Sequence, residues 1–362
     1  MPECIVIGGG VIGMMTARAL HLAGMEVLLL ERGPLGGESS WAGGGIISPL
    51  YPWRYQDSVN RFAQHSKRLY PDLVDSLQDE SGVDCELLHS GLLVVDQDEQ
   101  GAALAWANQW SENLQCIADR KTILSIEPVL ADNIEQALWM PDIMQVRNPK
   151  IIKALKGSFE RLQIAYREHT LVQDIIVQAG RVTGVRVADE ILGADRVIVA
   201  GGAWSAGLIK AVQQVDVEPV KGQMVMFKGG PGMVKRIVLS EGHYIIPRSD
   251  GRVLAGSTLE RVGFDKTTSG NALEALKATA VSLVPLLGSL PVERQWAGLR
   301  PGTENGVPYV CEVDEVAGLY LHAGHYRNGI VLGPASVQLM TELVLGKATF
   351  CDAAPYKVNA LH

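Results

Sequence analysis

An α/β fold is predicted by three features of this 362-residue sequence. At the N-terminus two short apolar runs, residues 4–7 and 26–30, flank a stretch rich in helix formers and free of glycine and proline, residues 14–23. Continuous apolar runs suit strands buried on both faces of a parallel sheet, so this segment reads strand, helix, strand. Further on, a third such run, residues 197–200, opens directly on Gly201 and Gly202. From Glu218 onward the pattern changes to alternating strands, MVMF, YIIP and RVLAGS among them. Alternation marks a second, largely antiparallel sheet with one face on a core.

The first turn of the strand–helix–strand unit carries Gly8, Gly10 and Gly13 in GxGxxG spacing. The three glycines serve separate ends, namely a tight turn, close approach of backbone to a pyrophosphate, and close helix–strand packing. The pyrophosphate of a dinucleotide would sit on the helix N-terminus, where free N–H groups and the helix dipole favour an anion. Glu31 closes the second strand, where a carboxylate can accept hydrogen bonds from ribose hydroxyls and where an arginine would be expected for a 2′-phosphate. The motif by itself leaves NAD and FAD open. The segment GPLGGESSWAGGGII follows, with Ser39, Ser40 and Gly43 to Gly45 offering hydroxyls and unhindered backbone to a phosphate or a planar ring.

Apolar spacing of three and four predicts helices over 57–82, 98–119, 150–166 and 271–283. Strands are predicted in 87–96, broken at Gly91, and in LVQDIIVQ and RVTGVRV. Near the C-terminus Gly324, Gly329 and Gly333 frame a strand-to-helix turn, with a helix expected over 336–345.

Bulk properties exclude several classes. With 47% hydrophobic and 20% charged residues the chain is an ordinary globular one, of about two domains by length. A net charge of −8 disfavours nucleic acid as a partner. No apolar stretch approaches the roughly 20 residues of a membrane span, and no basic, leader-like segment precedes the first strand. Cys4, Cys85, Cys116, Cys311 and Cys351 are scattered and odd in number, which argues against a disulfide framework or a zinc site and fits a reducing, cytoplasmic compartment. His322 and His325 form HxxH without an evident third ligand, so no metal is expected and a structural or ring-adjacent role is assigned to them.

Taken together, IVIGGGVIG, ERGPLGGESSWAGGGII, RVIVAGGAWS, YIIPRSDGRVLAGST, WAGLRPGT and GHYRNGIVLGP resemble the D-amino acid oxidase family of flavoproteins, in family order and across nearly the whole chain. The resemblance is greatest to members associated with thiamine biosynthesis. It implies a FAD-binding, Rossmann-like domain, discontinuous over 1–84, 143–216 and 302–362, plus a substrate domain with a mixed, largely antiparallel sheet over 85–142 and 217–301. It implies non-covalent FAD held by Gly8, Gly10, Val11, Ile12, Gly13, Glu31, Arg32, Ser39, Ser40, Gly44, Gly45 and Ile46. Val172 matches a backbone contact to adenine, and His325, Tyr326, Arg327, Asn328, Gly329, Ile330 and Val331 match the segment under the flavin.

For the substrate, the resemblance assigns Arg300 and Tyr244 to the carboxylate and Arg327 to both flavin and substrate. A guanidinium suits this role because it grips a carboxylate with two parallel hydrogen bonds. Members can carry a methionine near the pocket where this chain has Leu259. The implied reaction is oxidative deamination of glycine, other small amines or D-amino acids with molecular oxygen, giving a 2-oxo acid, ammonia and hydrogen peroxide, with no side chain needed as acid or base. Alternatives on the same fold are a sarcosine-type N-methyl amine oxidase and a D-amino acid dehydrogenase feeding a quinone. A non-catalytic FAD module fits less well, since a scaffold needs no carboxylate grip. A homotetramer is the assembly the family suggests.

Overall fold

The computed structural model describes residues 1–95, 98–209 and 215–360. Strand β1 (Cys4–Ile7), helix α1 (Val11–Leu22) and strand β2 (Val27–Leu30) form the expected unit, with β1 and β2 parallel. They lie within a six-stranded sheet in the order Tyr309–Glu312, Leu319–Ala323, Arg196–Val199, β1, β2, Ala165–Arg167. Every pairing is parallel except that of the antiparallel edge strand Tyr309–Glu312. The carboxyl ends of five adjacent strands therefore share one edge, the edge at which open α/β sheets bind ligands.

One face of this sheet is covered by α1 and by helices Asp57–Ser81, Asn148–Leu162 and Gly329–Val344, which pack on one another around Phe62, Tyr70, Phe159 and Leu332. The other face carries an antiparallel three-stranded sheet of Val172–Gln178, Arg181–Val187 and Glu190–Gly193. A second, eight-stranded sheet runs from Val292–Gly302 through Glu218–Lys228, Arg252–Gly256, His243–Pro247, Ile237–Ser240, Leu92–Val94 and Ala137–Met140 to Gln115–Ile117. Its pairings are antiparallel except Leu92–Val94 with Ile237–Ser240. Helix Gly270–Leu283 covers one face; the other face, with Met224 and Tyr244, turns toward Ile46 and Tyr51.

Three helix limits differ from those the sequence predicts. The predicted helix 98–119 is helical only over Gln100–Trp110, because Ser111 adopts the left-handed conformation and Gln115–Ile117 becomes an edge strand. The predicted helix 150–166 begins at Asn148, with Pro149 in its first turn, where a missing N–H is harmless. It stops at Leu162, since Gln163 is left-handed, and Ala165–Arg167 joins β2 as the sheet edge. The final helix starts at Gly329, seven residues earlier than predicted at 336, and runs through Pro334. Proline cannot donate to the carbonyl four residues back, which is that of Ile330. The Tyr70 hydroxyl, 2.6 Å away, donates to that carbonyl instead.

Candidate functional site

A cavity of ≈ 600 Å³ runs along the carboxyl edge of the parallel sheet to the second sheet. Its wall includes Gly8, Gly10, Val11, Ile12, Glu31, Arg32, Ser39, Ser40, Gly44, Gly45, Ile46 and Val172, together with Tyr244, Arg300 and residues 325–331. Gly13 is the one sequence-predicted site residue that does not line it. It stands beneath the turn: a Cβ there would overlap the Gly8 carbonyl oxygen, and Gly8, at φ +112°, is itself pressed against the Ala200 carbonyl. Gly13 thus serves helix–strand packing.

Helix α1 starts at Gly10 with no side-chain cap and no acidic residue in its first turn. The Ser40 hydroxyl oxygen accepts the Val11 N–H at 2.9 Å, from outside the helix, which leaves the hydroxyl proton free to donate. Glu31 Oε2 accepts from Gly9 N–H at 2.6 Å and Oε1 from Gly33 N–H at 2.8 Å, so the turn and the end of β2 are tied by one carboxylate that also faces the cavity.

Loop 43–45 is fixed from behind by residues outside the sequence-predicted site. Buried Arg248 donates from Nη2 to the Gly44 carbonyl at 2.7 Å and from Nη1 to Gln145 Oε1 at 2.6 Å. Asn148 Nδ2 donates to the Ser40 carbonyl at 2.8 Å, and Val146 N–H to the Gly45 carbonyl at 2.9 Å. A side chain on Gly44 would meet Ile246 Cδ1 at 2.6 Å. Bare backbone is therefore what this wall presents. Arg248 stands in YIIPR, yet nothing local in sequence says that it reaches a loop about 200 residues away.

Tyr244, Arg300, Arg327 and Met224 gather at the second sheet's side of the cavity. Arg300 lies flat over Gly222, where a Cβ would overlap its guanidinium. It donates to Ser257 Oγ at 2.6 Å and to the Thr258 carbonyl at 3.3 Å, and among the described residues it forms no ion pair. Burial, then Arg327, pushes this guanidinium down from its usual range, while Tyr244 raises it. Arg327 donates to the Gly242 carbonyl at 3.3 Å, and the Tyr244 hydroxyl lies 3.6 Å from Met224 Sδ. Leu259 is half exposed and does not line the cavity, so the pocket thioether is Met224.

His322 and His325 are buried, their rings 5.2 Å apart. The Thr16 hydroxyl lies 2.7 Å from the Ile12 carbonyl and 3.0 Å from His322 Nδ1. The Ser336 hydroxyl likewise lies 3.0 Å from both the Gly333 carbonyl and His325 Nε2. No cluster of three or more metal-ligating side chains occurs among the described residues, and none of the five cysteines lines the cavity.

Burial pushes His325 down to about 3 and His322 well below its ordinary 6.5. Both are neutral in the fold but charge in the unfolded chain below pH 6.5. Stability is thus full above pH 6.5 and falls as the pH drops toward 3, by about 1.4 kcal/mol per pH unit for each such histidine. Urea unfolding of the native protein and of His325→Gln between pH 7.5 and 5 checks this. The variant is expected to lose about one histidine's share of the slope below pH 6.5. Equal slopes would show that His325 does not titrate on unfolding.

The matches with known proteins follow this architecture. The chain matches the FAD dependent oxidoreductase (DAO) family profile over residues 3–343. It belongs to that family. It is 45% identical over 356 residues to a glycine oxidase of Pseudomonas putida, covering 98% of this chain and 97% of the relative. It is 43% identical over 354 residues to a glycine oxidase of Pseudomonas aeruginosa, covering 97% of each. The crystal structure of glycine oxidase from Geobacillus kaustophilus superposes with a TM-score of 0.94 at 29% identity, covering 100% of this chain and 99% of that one.

The residues present fit the family's FAD. An uncapped helix start suits its pyrophosphate, Glu31 its ribose, and the bare backbone of 43–45 a flat ring. The terminal helix also begins at the cavity, at Gly329, with no acidic residue in its first turn, and so favours partial negative charge on a group placed against it. Among the described residues, no helix is long and apolar enough to cross a membrane.

Proposed function

We propose that this FAD-dependent oxidoreductase oxidises glycine and other small amino acids or amines, with oxygen as acceptor. The observation that carries the reading is Arg300: a half-buried guanidinium on the cavity wall, without an ion-pair partner among the described residues and with Tyr244 beside it. A cavity-facing cation held only by neutral oxygens leaves room for an anionic ligand, and a carboxylate answers it with two charge-assisted hydrogen bonds.

In this reading Arg300 and Tyr244 hold the substrate carboxylate, and Arg327 closes the other side. FAD, when bound, supplies the two-electron acceptor for a hydride leaving Cα and passes the electrons on to oxygen. The substrate amine, in its neutral form, drives that departure with its own lone pair, so the protein's contribution is orientation. Water hydrolyses the resulting imine. Overall, glycine, oxygen and water give glyoxylate, ammonia and hydrogen peroxide. The residues proposed for FAD are those of the first glycine turn, Glu31, Arg32, Ser39, Ser40, Gly44 to Ile46, Val172 and residues 325–331, with Gly13 supporting from below.

We propose also the division into a FAD domain over 1–84, 143–216 and 302–362 and a substrate domain over 85–142 and 217–301. It is supported by the six-stranded sheet falling within the first set of residues and the eight-stranded sheet within the second, save the last residue of Val292–Gly302. A homotetramer in the cytoplasm is the assembly and location proposed by family likeness.

Anaerobic mixing of the yellow protein with glycine, sarcosine and D-alanine, followed by flavin absorbance and then admission of air, tests the function. Bleaching in the order glycine first, with fast reoxidation and peroxide, is the expected result. Bleaching without reoxidation would assign a dehydrogenase, and bleaching by sarcosine alone an N-methyl amine oxidase. No bleaching by any of the three would overturn the reading.

A further inference from the structure

Residues 257–268 leave strand Arg252–Gly256 of the second sheet without regular structure and carry three apolar side chains in the open: Leu259 (51% exposed), Val262 (45%) and Phe264 (51%). Phe264 has a partner. Its ring stacks on Trp204 at 5.2 Å between centroids and 26° between planes. Trp204 lines the cavity just beyond Gly201 and Gly202, and the Arg32 guanidinium lies 3.6 Å over the same indole.

Two residues on, Lys266 Nζ reaches Glu38 at 3.0 Å, and Glu38 pairs with Arg32 at 3.2 Å. Between them Asp265 is anchored back to its own sheet by Lys221 at 3.2 Å. A short segment of the second sheet thus grips Trp204, Arg32 and Glu38, all of them cavity-lining residues of the parallel-sheet half. Arg32 directly follows Glu31, at the end of β2 where the ADP half of a dinucleotide binds.

We propose that Phe264 and Lys266 are part of the cofactor site: they form an outer clasp that holds Trp204 and Arg32 against the ADP half of FAD and slows its release. The clasp also makes cofactor retention depend on the packing of one sheet against the other. It rests on the cavity being the FAD site, which the flavin content of the purified wild-type protein tests separately.

The experiment compares wild-type holoenzyme with Phe264→Ser, Phe264→Trp and Lys266→Ala. Flavin fluorescence after dilution reads FAD release and the dissociation constant, and steady-state rates are taken at saturating FAD. Phe264→Ser is expected to raise the dissociation constant about 3- to 10-fold, the scale of one aromatic pair. Phe264→Trp should stay near wild type. Lys266→Ala should show about a 2-fold rise that salt abolishes, as for an exposed ion pair. FAD binding by Phe264→Ser equal to wild type would overturn the clasp, as would a raised KM for glycine with FAD retention unchanged. A wild-type protein that neither carries nor takes up FAD would overturn the cofactor assignment itself.

Discussion

Replacing Arg300 with leucine is expected to lower kcat/KM for glycine by about 10²- to 10⁴-fold, since two charge-assisted hydrogen bonds of roughly 1.5–3 kcal/mol each are lost. The fold should not suffer. Arg300 is half-buried and has no carboxylate partner among the described residues, so its removal strands no opposite charge. Bound FAD and the melting temperature should therefore hold. An amine without a carboxylate, such as ethylamine, should lose far less than glycine does. Equal losses for both substrates would show that Arg300 acts on something other than the carboxylate.

Gly222→Ala separates position from charge. Its Cβ would overlap the Arg300 guanidinium, the movable end of a long side chain, so the strand survives and the guanidinium shifts. A displacement of this kind is expected to raise KM for glycine about 10- to 100-fold with Arg300 itself intact. An unchanged KM would show that Arg300 does not need its place over Gly222.

Gly13→Ala is expected to abolish FAD binding and to destabilise the protein by about 1–3 kcal/mol or more, as overpacking against rigid groups does. Here the added methyl meets the Gly8 carbonyl, which is backbone, and Gly8 cannot retreat because its own position is set against the Ala200 carbonyl. Relief requires α1 to move off β1, and that takes the anion site at the helix start with it. Gly24→Ala is the control. Gly24 has a positive φ of +93° but open space around it, so the change carries only local backbone strain of about 1–2 kcal/mol and FAD should stay bound. Flavin per chain, from the visible absorbance of the purified variants, and thermal unfolding with excess FAD read both effects. Stoichiometric FAD and a native melting temperature in Gly13→Ala would refute the packing account.

Much of this protein is local enough to be written in its sequence. The βαβ unit is legible because glycine spacing, two continuous apolar runs and a terminal Glu31 all fall within the first 31 residues. The second sheet is legible because alternation reports a strand's two unequal faces. What escaped was whatever depends on a distant partner. The helix Gly329–Val344 begins before its proline only because Tyr70 supplies the hydrogen bond that Pro334 cannot. The edge strand Ala165–Arg167 extends a helical pattern in sequence and becomes a strand because β2 offers it an open edge.

The candidate site divides in the same way. Motif order identified the glycines of the turn, and the family resemblance pointed to Arg300 and Tyr244. The tertiary structure decided that Gly13 supports rather than lines the cavity, that Met224 and not Leu259 stands in the pocket, that Arg248 braces Gly44 from behind, and that Phe264 sits on Trp204. The reason is physical: backbone conformation and face polarity are set by neighbours in the chain, while a cavity is set by which side chains fill the space between two sheets, and those come from positions far apart in the chain.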